Sequence, residues 1–132
     1  MKNESILVLK VEAKKLPSTV WLSPTAKAFA DAINEGTGFE GDLAVKKLAK
    51  GVYIVFNRDG FLFGLPVSRS VGTDIIMGRF FVVATDDRHY LRSLSKRQVE
   101  KYSSRFEQSE TITEEEATLA YLTALSEDIP KM

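Results

Sequence analysis

The chain contains no cysteine. That single absence removes disulfides, thiol nucleophiles and cysteine-ligated zinc together, and it fits a reducing compartment. Histidine and tryptophan occur once each, so any imidazole chemistry must pass through His89. Net charge is missing too: 18 Lys+Arg balance 18 Asp+Glu, and no global field draws in nucleic acid or an acidic membrane. No apolar run approaches the ~20 residues of a membrane helix. The N-terminal run Ile6-Leu7-Val8-Leu9 is too short for a secretory signal and lacks a small-residue cleavage site. The expectation is therefore a soluble, intracellular protein of the cytoplasm. The glycines do not assemble into a nucleotide loop, since G-x-x-x-x-G-K-S/T and G-x-G-x-x-G are both absent, as is the G-x-S-x-G nucleophile elbow. No cofactor and no metal are expected.

What is present is an ordinary globular balance, 44% hydrophobic and 27% charged over 132 residues, enough to bury a core without staples. Ile6–Val11 reads as a strand apolar on both faces, hence central in its sheet. Thr19–Leu22 follows as a second strand. Ser23-Pro24 announces a helix, the serine capping free amides and the proline taking the first helical position. Its apolar stripe is Ala26, Phe29, Ala30 and Ile33, and Asn34–Gly38 ends it, Gly36 being suited to a left-handed terminus. Leu43–Leu48 is a modest edge strand guarded by Lys46 and Lys47. The strongest strand signals are Val52–Phe56 and Phe61–Phe63, joined by Asn57-Arg58-Asp59-Gly60, which predicts a hairpin. Val67–Gly78 reads as a connection and Arg79–Ala84 as the last strand.

Ser95 with Gln98 forms a capping box for a second helix, with Leu94 and Val99 as a staple and Val99, Tyr102 and Phe106 as the buried face. Thr113 with Glu116 repeats that logic for a third helix carrying Leu119, Leu122 and Leu125, closed by Ile129-Pro130. The fold class is α+β: a mainly antiparallel sheet of five to six strands, helices packed on one face, and an extra C-terminal helix. Residues 1–107 form the core domain and 108–132 a helical extension.

The order of the mid-chain motifs resembles a known family. Val55-Phe56-Asn57-Arg58-Asp59-Gly60, Gly64-Leu65-Pro66-Val67-Ser68-Arg69, Asp74–Val83, Ser93-Leu94-Ser95 and Tyr102–Phe106 follow its pattern. That family reads approximately N-E-x-G, L-P-x-N-R, I-x-G-x-F-x-V and S-L-T-x-x-Q-x-x-K-Y. Ser68 stands where it usually has asparagine. It is a domain-of-unknown-function family, 3846-type, of small proteins found mostly in phages and conjugative elements. The resemblance implies an accessory protein of a mobile element that acts on host machinery, such as a defence component, in the manner of anti-CRISPR or similar counter-defence proteins.

Candidate contact residues follow from chemistry. Arg69 and Asp74 lie among apolar residues in the Val67–Gly78 connection, where a covered arginine needs a partner; a buried Arg69–Asp74 bond is expected. Arg69 otherwise suits an anion or a partner carboxylate. Arg79 lies nearby, and with Arg69 and Asp74 it defines the alternative of a nucleotide-like anion pocket. Arg97 and Lys101 belong to a basic block: Arg88, Arg92, Lys96, Arg97, Lys101 and Arg105 against Glu100 alone. Seven acids and no base then run from Glu107 to Asp128. The two blocks can pair with each other or steer a partner. Asn57 and Asp59 are read as turn residues that accept their own backbone amides. Asp86, Asp87 and His89 have the residue types of a metal-assisted hydrolase, but the polar stretch around them reads as a solvated turn. The expected protein is non-catalytic and binds a host protein. A small anionic ligand is the alternative partner, a homodimer through the C-terminal helix stays open, and neither nucleic acid nor membrane is expected.

Overall fold

A computed structural model describes residues 5–38, 41–60, 63–72, 74–108, 118, 119 and 122. The organising strand is β7 (Phe80–Thr85), in which five successive residues are buried. Its side chains alternate: Phe80, Val82 and Ala84 enter one apolar cluster, Phe81 and Val83 another. A strand apolar on both faces needs a covering layer on each. β1 (Ile6–Val11) and β4 (Val52–Asn57) flank it, with Leu9 opposite Val82 and Ile54 opposite Val82. β2 (Ser18–Leu22) and β3 (Leu43–Ala49) close the two edges, giving the order β2-β1-β7-β4-β3. Two-residue β8 (Leu91–Arg92) pairs with the end of β7 and makes the sixth strand. Every pairing among the described strands is antiparallel.

The α+β class and the six-stranded sheet agree with the sequence reading; the placement of the helices does not. α1 (Ala26–Asn34) buries Phe29 and Ile33 against Ile6, Val8, Val55, Phe81 and Val83. α2 (Lys96–Arg105) and its cap residue Phe106 cover the opposite face, where Tyr102 and Phe106 meet Leu9, Val11, Phe80 and Val82. Phe29 meets Phe81 edge-on at 5.9 Å, and Phe106 meets Phe80 edge-on at 5.3 Å, the geometry that aligns ring edge with ring face. Two layers rather than one satisfy the doubly apolar centre.

Three local expectations are corrected. Val52–Phe56 forms no hairpin with Phe61–Phe63, because both edges of β4 are taken by β3 and β7. Phe61 and Leu62 lie outside the described residues, and Phe63 is in a turn. The Asn57–Gly60 segment coils instead. Gly60 and Phe63 amides donate to the carbonyls of Asn57 and Asp59, and the Asn57 side chain accepts from Asp59 N at 2.8 Å, the turn role expected of it. The second correction is Val67–Gly78, which is a hairpin of β5 (Val67–Val71) and β6 (Asp74–Met77). Gly72 follows β5 at φ +62, a conformation glycine adopts freely. Thirdly, α1 is capped by Thr25, whose hydroxyl accepts from Ala28 N at 3.1 Å, and not by Ser23. The Ser23 carbonyl accepts Thr25 N in a preceding turn.

The capping box at Ser95 and Gln98 is present in full. Of the third helix, Thr118, Leu119 and Leu122 are helical, and both leucines are exposed. Thr113, Glu116, Leu125, Ile129 and Pro130 lie outside the described residues.

Because Phe81 joins β7 to α1 and is 1% exposed, Phe81→Ala is expected to destabilise the fold by about 3–5 kcal/mol. Denaturant unfolding followed by circular dichroism measures this.

Candidate functional site

α1 covers only part of its face of the sheet. On that face β3 presents Leu43, Val45 and Lys47, β4 presents Tyr53 and Val55, and β7 presents Val83 and Thr85, as the pairings Val45–Val55 and Tyr53–Val83 require. Beyond the first turn of α1 the strands lie open. The result is a groove of about 440 Å³, walled by Thr25, Ala26 and Phe29 on one side and by Leu43 and Val45 of β3 on the other. Tyr53, Val55 and Val83 form its floor, and Thr85, His89 and Leu91 close one end. Its size falls within the ~300–1,000 Å³ of ligand sites. Val45 is 63% exposed, unusual for a valine flanked by other apolar side chains in a concave surface.

The residues singled out from sequence lie elsewhere. Arg69 is buried at 1% exposure and forms no bond to Asp74. Among the described residues it donates to four main-chain carbonyls: Phe106 at 2.8 Å, Glu12 at 3.2 Å, Ser68 at 2.7 Å and Lys15 at 2.7 Å. Carbonyl dipoles, including the one at the C-terminus of α2, replace the carboxylate the sequence reading supplied. Asp74 opens β6 five positions further on and pairs with Lys46 at 2.6 Å. A buried guanidinium held this way cannot meet an incoming anion.

Arg79 is on the α1 face. It grips the Glu12 carboxylate through Nε at 2.8 Å and Nη2 at 2.7 Å, and it donates to the carbonyls of Ala32 and Glu35 at the end of α1. A cation there complements the helix dipole. Burial pushes the Glu12 carboxyl up, but the hydrogen bond and charge of Arg79 outweigh it and hold Glu12 below its ordinary 4.5. Arg69, Arg79 and Asp74 therefore do not converge, and the anion pocket has no geometry. A second hollow of about 840 Å³ at the end of α1 contains Asp31 and Glu35 and, among the described residues, no basic side chain, the wrong charge for an anion.

Asp86 is consumed by its own turn, accepting Arg88 N at 2.8 Å and Tyr90 N at 3.0 Å and pairing with Arg92 at 2.8 Å. Desolvation raises its carboxyl, but these donors and the Arg92 charge together outweigh it and lower it. Asp87 and His89 are exposed, and among the described residues no three His, Cys, Asp or Glu side chains cluster. His89 takes a left-handed conformation at φ +67 and reaches the groove rim rather than an acid. Arg97 and Lys101 are exposed on α2; the Lys101 ammonium lies 5.5 Å from the Tyr102 ring. Neither borders the groove.

Sequence reasoning missed the groove because its residues come from five separate elements. The legible part was the pairing of an edge strand, Leu43–Val45, with a following strand whose outward face stays apolar at Val55.

The fold is thus an antiparallel sheet sandwiched between helices, with one apolar groove opening at an edge. Residues 5–107 match the family described as Domain of unknown function (DUF3846), and the chain belongs to that family. No curated protein and no solved structure matches the chain.

Two outcomes are expected at these positions. Arg69→Met leaves buried carbonyls without donors and is expected to cost roughly 3–5 kcal/mol. Ser68, fully buried with no hydrogen-bond partner for its hydroxyl among the described residues, behaves oppositely: Ser68→Ala leaves stability unchanged or raises it by up to about 1 kcal/mol. Chemical denaturation of the two variants separates them. The second outcome concerns acid. A carboxyl with a depressed folded-state pKa contributes stability above its unfolded value and loses it as pH falls through the folded one. Melting temperature should therefore decline below pH about 4.5, and Arg79→Met should flatten that decline while lowering stability at neutral pH. Thermal melts between pH about 3 and about 7 provide the measurement.

Proposed function

We propose that this is a non-catalytic accessory protein of a phage or other mobile element that binds a host protein and modulates or inhibits it. The host factor can be a defence component, and the site of action is the host cytoplasm. The observation that carries this reading is the apolar groove between α1 and the β3 edge, with Val45 held 63% exposed at its rim. Keeping apolar surface in water is costly, at about 25 cal/mol per Å², and contact with a partner recovers that cost. Membership in a family with relatives in mobile elements, as the motif order implies, supplies the host context. No helix among the described residues is long and apolar enough to cross a membrane, which is compatible with the proposed location.

The contact surface proposed here differs from the one the sequence suggested. The loop around Arg69 is interior, so the groove takes over its role. Arg97 and Lys101 lie on the opposite layer and serve at most to steer an acidic partner from a distance.

Tagged protein produced in the host should co-purify with one factor in a fixed ratio, and size-exclusion chromatography should show a single complex. Val45→Asp, at an exposed position, should leave the melt unchanged and reduce recovery at least about tenfold, a loss of ~1.4 kcal/mol. Lys27→Ala, on the outer face of α1, should not. Recovery that ignores Val45→Asp, or substrate turnover by the pure chain, would defeat this reading.

A further inference from the structure

The groove has a direction. Its outer wall is β3, the terminal strand of the sheet, which pairs with β4 on one side and with no described strand on the other. A terminal strand presents unpaired amides and carbonyls, and proteins commonly guard such edges with lysine. Here one guard is disarmed: Lys46 is drawn across the far face to Asp74 on β6 at 2.6 Å. Lys47 projects on the groove side, exposed, with no ion pair among the described residues. Leu43 and Val45 line the groove on that same face of β3.

We propose that β3 is a receptor strand. An extended segment of the partner protein pairs with its free edge, packs alternate apolar side chains beside Leu43 and Val45 at the β3 rim of the groove, and sets an acidic side chain against Lys47. The proposal rests on the reading that the groove is the contact surface, and it names how contact is made. Main-chain pairing supplies sequence-independent affinity, and the alternating pockets supply selectivity. Successive side chains of a strand fall on opposite faces, about 3.3 Å apart along the axis. Every second residue of the incoming strand therefore faces the groove, while its neighbours face the β6 side. Charge decides against a second copy of this chain. Antiparallel pairing of β3 with its own twin would bring the Lys46-Lys47 pairs of both copies together, and like charges across a strand pair destabilise it. An acidic, apolar-alternating segment is the complement.

The test uses the whole chain immobilised against a displayed random peptide library. The enriched peptides should alternate apolar and polar residues and carry Asp or Glu toward one end. The best of them, fluorescently labelled, should bind in an anisotropy titration. Methylating its alternate amide nitrogens, which removes donors without touching side chains, should weaken binding at least about tenfold. Lys47→Glu should weaken it similarly, and replacing the peptide's acid with lysine should restore affinity for that variant. Enrichment of helical-period peptides, of peptides that tolerate methylation, or of none at all overturns strand pairing. Dependence of host-factor recovery on Val45 would survive each of those results, so failure of strand addition and failure of the groove as contact surface are distinguishable. Dimerisation of the chain alone, abolished by Lys47→Glu, would also overturn the proposal.

Discussion

Glu12, one residue past β1, is the point at which both helical layers are tied to the sheet. Its carboxylate receives Arg79, which also binds the last carbonyls of α1; its carbonyl receives Arg69, which also binds Phe106 at the end of α2. Two arginines on opposite faces thus fasten one end of the sandwich through a single residue. The turn that follows helps: Lys14 adopts φ +60, and the Lys15 amide donates to the Glu12 carbonyl. That geometry leaves the Lys15 carbonyl within 2.7 Å of the Arg69 guanidinium. Burying a cation is expensive unless every donor is met. Oriented carbonyls meet the need here at fixed positions, which specifies how the β5–β6 hairpin, the β1 turn and α2 fit together.

The hairpin follows from that requirement. Val67–Val71 is polar in three of its five positions, and Ser68 and Arg69 are nevertheless buried. Among the described residues, Val71 and Ile76 supply its share of the apolar cluster. Hydrogen bonds, more than hydrophobic area, fasten it to the sheet. Close backbone packing adds to this: a side chain at Gly60 would lie 2.6 Å from the Met77 carbonyl, and one at Gly78 would meet Leu65 at 2.7 Å. Leu65 and Pro66 therefore reach across the hairpin directly, with Gly78 N donating to the Pro66 carbonyl at 2.7 Å.

Much of the scaffold was legible from residue pattern. The doubly apolar Ile6–Val11 placed itself inside the sheet, and the Ser95–Gln98 box marked the start of α2 to the residue, because both signals are local. Asn57 was read correctly as a turn former for the same reason. What could not be read was competition between partners. Val52–Phe56 has strong strand chemistry, but which neighbours it takes depends on β3, about ten residues upstream, and on β7, about thirty downstream, not on the Asp-Gly beside it. The same doubly apolar signal, clearest at Phe80–Val83, requires a layer on each face, which the expectation of helices on one face missed. The candidate site suffered most. Arg69 and Asp74 are adjacent enough in sequence to suggest a bond, while the carbonyls that bind Arg69 leave no trace in residue identity. The groove, in turn, is a space between elements, and only its edge strand had a signature.

The two ends of α1 are held unequally. Its final turn is gripped by Arg79, whereas its first turn, Thr25 to Phe29, stands as a wall of the open groove and touches the sheet through Phe29. A rod clamped at one end yields most at the other. Widening the mouth therefore tilts α1 about its anchored tip and disturbs a single ring contact, not the ionic fastening. On the proposed reading, a partner segment of larger girth would be met by tilting α1 about that tip, with the Arg79 fastening left intact.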